Sequence, residues 1–539
     1  GSWGRTRTTV DVGSALNASG TVRGRVIGSY LDTDGQMDRY NQRKTLGYAV
    51  IDADLTPDTQ LSVGYDYQQK RANGATWGGF PMLYSDGSRT GYDESFNASP
   101  NWTYWDTTSK RAFATLQHAF SNGWKFKVGA THDETKADDK LFYPAYNDWT
   151  TGASNFDRTN GTGISPSAGF YNTERKVTGV DGYVDGPFQL FGREHQFMAG
   201  LSYNKRDYAN YGDYQVGGAG KTWDPFTSYL HWTGNISEPN WNPLALASQG
   251  TITQKAGYAA ARLSLAAPLK LIIGARYTDW KSEGEGADRA HKVTTPYAGL
   301  LYDLTPEYTV YASYTDIFMP SSYSRSRNNK LLEPDEGKNY ETGLKGEFFE
   351  GRLNTSVAYF EVHETNRAEP DAEYNAAPTD PSLGYAEKGI KAKTKGFEAE
   401  ISGELAPGWQ AQAGYTHKIL RDEHGDKAST WEPEDQLSFF TSYKLKGPLD
   451  RLTLGGGARW QSRSWQVVYN RPKAQNEEFS QEADWEVDAM AKYQVSEHLS
   501  ATLNVNNLFD KQYYTNIGFY NTAYYGTPRN VMLTTRWDF

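Results

Sequence analysis

The chain has no cysteine among its 539 residues. That excludes a disulfide framework, thiolate metal ligands and a cysteine nucleophile, yet still permits an oxidising compartment. It has no apolar run approaching the ~18–20 residues of a membrane-spanning helix. It has no surplus of positive charge: 55 basic against 65 acidic residues give −10, which argues against a general nucleic-acid binder. Linkers are missing too. A length prior would divide the chain into about three or four soluble domains, but no composition shift or Pro/Ser-rich stretch marks a boundary.

What the chain has is 38 Tyr, 16 Trp and 53 Gly at a mean hydropathy of −0.74. Its apolar residues alternate. In "LSVGYDYQ", Leu61, Val63, Tyr65 and Tyr67 oppose Ser62, Gly64, Asp66 and Gln68. In "RLTLGGGARWQ", Leu452, Leu454, Ala458 and Trp460 oppose Arg451, Thr453, Arg459 and Gln461. Period 2 is the strand period. A soluble propeller would show short strands in a repeat of about 40–50 residues. These runs are about 10–15 residues, enough to cross a bilayer at a tilt.

The connections alternate in length. Tight turns such as "LNASG" (16–20), "LTPDTQ" (55–60), "FSNGW" (120–124) and "LAPGW" (405–409) are separated by long segments near 71–109, 136–172, 208–249, 318–337, 368–385, 465–480 and 509–527. That sorting predicts an all-β transmembrane antiparallel barrel with periplasmic turns and extracellular loops. About 21 strands can be placed, from 5–16 to 528–539. Bacterial single-chain barrels have even strand numbers, so a barrel of about 22 strands is expected, its first strand largely upstream of Gly1. The final strand then turns Val531, Leu533, Thr535, Trp537 and Phe539 to lipid, and many other Tyr and Trp residues form interfacial girdles.

Four segments in order, "TPYAGLLYDLTPEYTVYASYTDIFMP" (295–320), "LLEPDEGKNYETGLKGEFFEGRLNTSVAYFEVHETN" (331–366), "KGIKAKTKGFEAEISGELAPGWQAQAGYTH" (388–417) and "VNNLFDKQYY" (505–514), resemble the barrel of TonB-dependent ferric-siderophore receptors. "GPFQLFGREH" (186–195), "STWEPEDQLSFFTSYKLKG" (429–447), "SWQVVYN" (464–470) and "YYTNIGFYNTAYYGTPRN" (513–530) are similar to the ferripyoverdine receptors within that family, and the hydroxamate-siderophore receptors share much of this. The resemblance implies a bacterial outer-membrane receptor that binds a ferric siderophore and imports it into the periplasm. It implies a plug, engaged by the TonB energy-coupling complex, that no segment here resembles. Residues 1–539 are therefore read as barrel alone, with the plug upstream. Other expected partners are the lipid bilayer and lipopolysaccharide; no nucleic acid partner and a monomeric state are expected. The terminal Phe539 resembles the signal read by barrel-assembly machinery.

The protein is read as a non-enzyme with no resident cofactor and no metal ligands of its own, since the siderophore already fills the iron's coordination sphere. Recognition then falls to loop aromatics, which offer area, few rotamers and polar handles. The resemblance ranks Phe519 and Tyr520 first, in "NIGFY", and adds Trp149 in "DW" and Trp232 in "HWTGN". Tyr323 stands where pyoverdine receptors tend to carry adjacent aromatics; Trp105 and Trp102 complete the ligand-binding set. Arg325 and Arg327 are candidates for an acidic ligand group, and Arg451 and Arg459 are expected to face plug or water. Alternatives are a receptor of the same family for haem, another siderophore or a sugar, and a passive porin or adhesin. "DTDGQMD" (32–38) is read as a polar turn, because the distal Glu of a full Ca²⁺ loop is absent.

Overall fold

A computed structural model describes the chain except residues 145–155, 163–165, 218–222, 224–227, 285–287, 321–323, 377–378, 381–382, 384, 471 and 520–521; at 372, 376, 469 and 519 it describes backbone alone. The described residues form one 21-stranded antiparallel sheet. It begins with Thr6–Ala15, Val22–Asp34, Asn41–Thr56 and Thr59–Asn73, and ends with Asp484–Gln494, Leu499–Asn506 and Asn530–Trp537. Each strand pairs with the next wall strand in the chain, a continuous meander.

Register puts the alternating residues where a bilayer needs them. Ile51, Val63, Ala114, Ala130, Val180 and Tyr203 lie opposite one another across six strands. Trp409, Tyr443, Leu454, Ala491, Leu503 and Leu533 make a second such row. The opposite face is polar and internally paired. Arg23 makes a bidentate contact with Asp54 at 2.5 and 2.7 Å. Arg25 binds Asp11 at 2.6 and 2.8 Å, and Arg111 binds Asp66 at 2.6 Å. Arg459, expected to face plug or water, is engaged by the wall itself, 3.0 Å from Glu486 and 3.5 Å from Asp488.

At one rim the turns are tight. Leu190 and Arg193 are joined through Phe191 (φ 51°) and Gly192 (φ 74°), the two positive φ values of a turn whose twist matches its flanking strands. At the other rim the strands run long, and the connections build the molecule's buried core. The segments expected as loops at 465–480 and 509–527 are hairpins: Ser464–Asn470 pairs with Gln475–Gln481, and Tyr514–Phe519 with Thr522–Tyr525. Phe80–Pro81 adds a third strand to the latter. Phe80, Met82, Leu83, Val468, Phe479, Ile517 and Ala523 pack between these pieces. A lipid-facing band stays exposed in water-free surroundings of its own, so burial within the protein collects above it.

The two ends of the sheet are unjoined. Among the described residues Thr6–Ala15 pairs only with Val22–Asp34, and Asn530–Trp537 only with Leu499–Asn506. Every residue of Thr6–Ala15 is exposed. With 21 antiparallel strands the first and last run in the same sense, so neither can complete the other's antiparallel ladder. Trp3 and Gly4, both with positive φ, form a turn in which Arg5 N–H donates to Ser2 O at 3.2 Å, while Ser2 N–H donates to Val531 O at 2.9 Å. Among the described residues no ladder joins the first and last strands, as expected, and the Ser2–Val531 hydrogen bond links them at the outer end.

Candidate functional site

The extracellular rim gathers aromatics from several connections. Phe142, Trp223 and Ala168 form one cluster, flanked by Trp102, Trp232, Ile236 and Trp241. Phe156 and Tyr229 form another, flanked by Tyr84, Tyr92, Phe96 and Trp232. Buried polar groups hold these connections in register. The Asn97 amide donates to Asp38 O at 2.8 Å and Gly74 O at 2.9 Å, and Asn97 O accepts from Arg39 at 2.6 Å and Trp232 Nε1 at 2.9 Å. Tyr229 OH donates to Ala98 O at 2.9 Å. Arg89 reaches Glu477 at 2.8 Å, and Asn470 joins Gly87 O to the same carboxylate.

The candidate residues divide under this geometry. Trp102 is partly buried against Trp241 (6.1 Å), Phe142 (6.2 Å) and Trp223 (6.5 Å). Trp232 lies 4.4 Å from Tyr229 and is tied to Asn97. Both hold the loops together. Trp105 instead faces a cleft of about 550 Å³. Phe519 occupies the last paired position of the Tyr514–Phe519 hairpin strand, where backbone alone is described. Tyr520, Trp149 and Tyr323 lie outside the described residues. Arg327 is not a free cation: it grips Asp371 at 2.6 and 2.7 Å and Glu373 at 2.9 Å. Arg325 bonds Asn329 within its own turn. In the 32–38 segment, Asp32 stands 3.4 Å from Arg43.

The cleft is built where three strands rise past the bilayer. Cross-strand register aligns Trp105, Asp139 and Tyr171 in one row, and Trp77 meets Tyr171 edge-on at 5.3 Å. Asp139 lies some fourteen residues beyond the turn at 120–124, more than the ~9–11 a tilted strand needs to cross. Its side chain is buried, at 6% exposure. Its Oδ1 has no hydrogen-bond partner among the described residues. Burial, with the Asp138 and Asp106 charges beside it, pushes its pKa up to about 7. Lys70 Nζ sits 5.6 Å from the Trp105 ring centroid. Tyr171 and Asp139 were not among the sequence candidates. Asp139 has no local signal, because its meaning comes from a residue 34 positions away across the ladder.

The family model described as TonB dependent receptor-like, beta-barrel matches residues 46–508. The whole chain aligns with the ferripyoverdine receptor of Pseudomonas aeruginosa at 49% identity over 542 residues, covering 65% of that protein. It aligns with the ferric-pyoverdine BN7/BN8 receptor of Pseudomonas putida at 35% identity, covering 64% of it. The chain therefore spans just under two thirds of the length of these relatives. The crystal structure of the outer-membrane ferripyoverdine receptor of P. aeruginosa bound to ferripyoverdine superposes at a TM-score of 0.93, with 47% identity, covering all of this chain and 70% of that one.

Proposed function

We propose, starting from the fact that the chain belongs to the TonB-dependent receptor β-barrel family, that it forms the wall and outer mouth of an outer-membrane receptor that imports a ferric siderophore of the pyoverdine class. The observation that carries this is end-to-end likeness to ferripyoverdine receptors at up to 49% identity, in a chain whose outer rim holds an aromatic cleft.

The chemistry follows from the cargo. Iron arrives with its coordination sphere filled by the siderophore, so the receptor needs complementary surface and no ligands to iron. Trp105, Trp77 and Tyr171 supply rigid area at low entropic cost. The hairpin of Tyr514–Phe519 and Thr522–Tyr525 is joined to Phe80–Pro81 at the same rim. A barrel of this width has a lumen that side chains alone do not fill. We assign its filling to a plug held in the part of the relatives' length that this chain does not span. One further strand, antiparallel to both free edges, completes the wall. TonB, driven by the proton gradient, then acts on the plug while the paired arginines of the wall keep their own partners.

A titration of the intact receptor tests this reading. Ferripyoverdine should quench tryptophan fluorescence saturably, and a ferric siderophore of unrelated shape should not. Equal, non-saturating responses to both would reject it.

A further inference from the structure

Trp77, Trp105 and Tyr171 wall the outer cleft, and in the middle of that wall stands Asp139, buried to 6% exposure with Oδ1 unpartnered among the described residues. A carboxylate oxygen taken from water without a partner is costly, and the register that places it there is a regular ladder with no bulge. The neighbouring cation does not satisfy it. Lys70 Nζ lies over the Trp105 ring at 5.6 Å, and no ion pair within 4.0 Å joins it to Asp139 among the described residues. The same ring shows what its face accepts. Indole and phenol faces attract ammonium and guanidinium groups, and a carboxylate set among them adds the charge that fixes orientation.

We infer that Asp139 is a specificity-determining residue, which receives an ammonium or guanidinium group carried by the incoming ligand into the cleft between Trp105, Trp77 and Tyr171. This rests on the siderophore reading of the mouth and goes further, naming the ligand group that the cleft selects. A ligand whose matching group is neutral leaves the carboxylate buried and unpaired, so the discrimination arises from the penalty as well as from the attraction.

The charged and titratable groups around Asp139 set how the preference varies with pH. Asp106 and Tyr104 come from the neighbouring strand on one side, with Lys70 from the strand beyond it. Asp138 adjoins it on its own strand, and Tyr171, Tyr211, Asp213 and Tyr214 come from the strands beyond. The carboxyl proton is retained toward pH 7 by burial and by the Asp138 and Asp106 charges. The attraction for a cation therefore grows as pH rises from 5.5 to 8.

The test uses intact receptor in outer-membrane vesicles and a matched pair of probes: a ferripyoverdine with one free side-chain amine, and the same compound acetylated on that amine. Affinities are read by tryptophan quenching. Wild type should prefer the free amine at least tenfold at pH 8, with the preference shrinking at pH 5.5. Asp139→Asn should bring it to within twofold. An unchanged ratio in the variant, or a wild-type ratio of one at both pH values, overturns the assignment while the siderophore reading stands. If neither probe binds wild type, both fall. The wild-type pH series needs no variant, so a poorly assembled Asp139→Asn receptor does not shield the proposal.

Discussion

Asp139 also makes a prediction about stability. Its folded pKa is raised to about 7 from an ordinary 3.8. Between those values the folded state keeps a proton that the unfolded state has lost, so stability falls as pH rises from about 4 to about 7. The strand end around Asp139 should exchange its amide hydrogens faster at pH 8 than at pH 5 after correction for intrinsic rates. Asp139→Asn should flatten that difference; a variant with the wild-type slope would assign the effect to another group. Replacing Phe519 and Tyr520 together by Ala should weaken ferric-siderophore binding by about 1–4 kcal/mol, the range of aromatic anchors at interfaces. Unchanged affinity at normal receptor levels would remove both from the site. Trp102 and Trp232 are different. Their rings pack within the loop clusters, so their loss should show first as faster proteolysis of the rim.

The elements above the membrane hold one another by close approach. A Cβ on Gly79 would lie 1.9 Å from Ala523 O, and Gly79 N–H donates to Thr522 Oγ1 at 2.9 Å. Gly79→Ala must therefore push the Thr522–Tyr525 strand away and with it the Phe519 hairpin. Ligand affinity should fall at least several-fold although Gly79 is not among the residues that line the cleft; crosslinking across the 79/523 junction would report the displacement, and full affinity would show the hairpin to be independent. These connections mark the limit of the sequence reading. All 21 wall strands follow from period-2 alternation and turn residues, because each needs only its own residues and the demand for one apolar face. The cap hairpins do not follow in the same way. "SWQVVYN" and "YYTNIGFYN" carry β-branched and aromatic runs that fit strands, but nothing in the alternation says that each folds back into a hairpin of its own above the wall. The cleft was half legible. Trp105 belongs to an evident aromatic run, whereas Asp139 acquires its role only when the ladder sets it beside that ring.

Across the whole molecule, two faces of one sheet answer to two solvents. Arg at Val63, in the middle of the lipid-facing row, should cost about 2–4 kcal/mol, measured by reversible unfolding from lipid. The same substitution at Ser62, on the opposite face beside Asp52, should cost well under half as much. Equal costs would mean that the faces have been assigned wrongly. Apolar residues sort outward, ion pairs inward and aromatics upward, as the proposed import of a bulky polar ligand requires, and the proposal stands on that import being energised. The most direct measurement is uptake of radioactive iron as ferripyoverdine by cells whose only matching receptor is the intact protein containing this chain. Energised import predicts saturable uptake that stops when TonB is deleted or the proton gradient is collapsed, while surface binding persists. Uptake that continues undiminished without TonB would contradict it and make the barrel a passive pore.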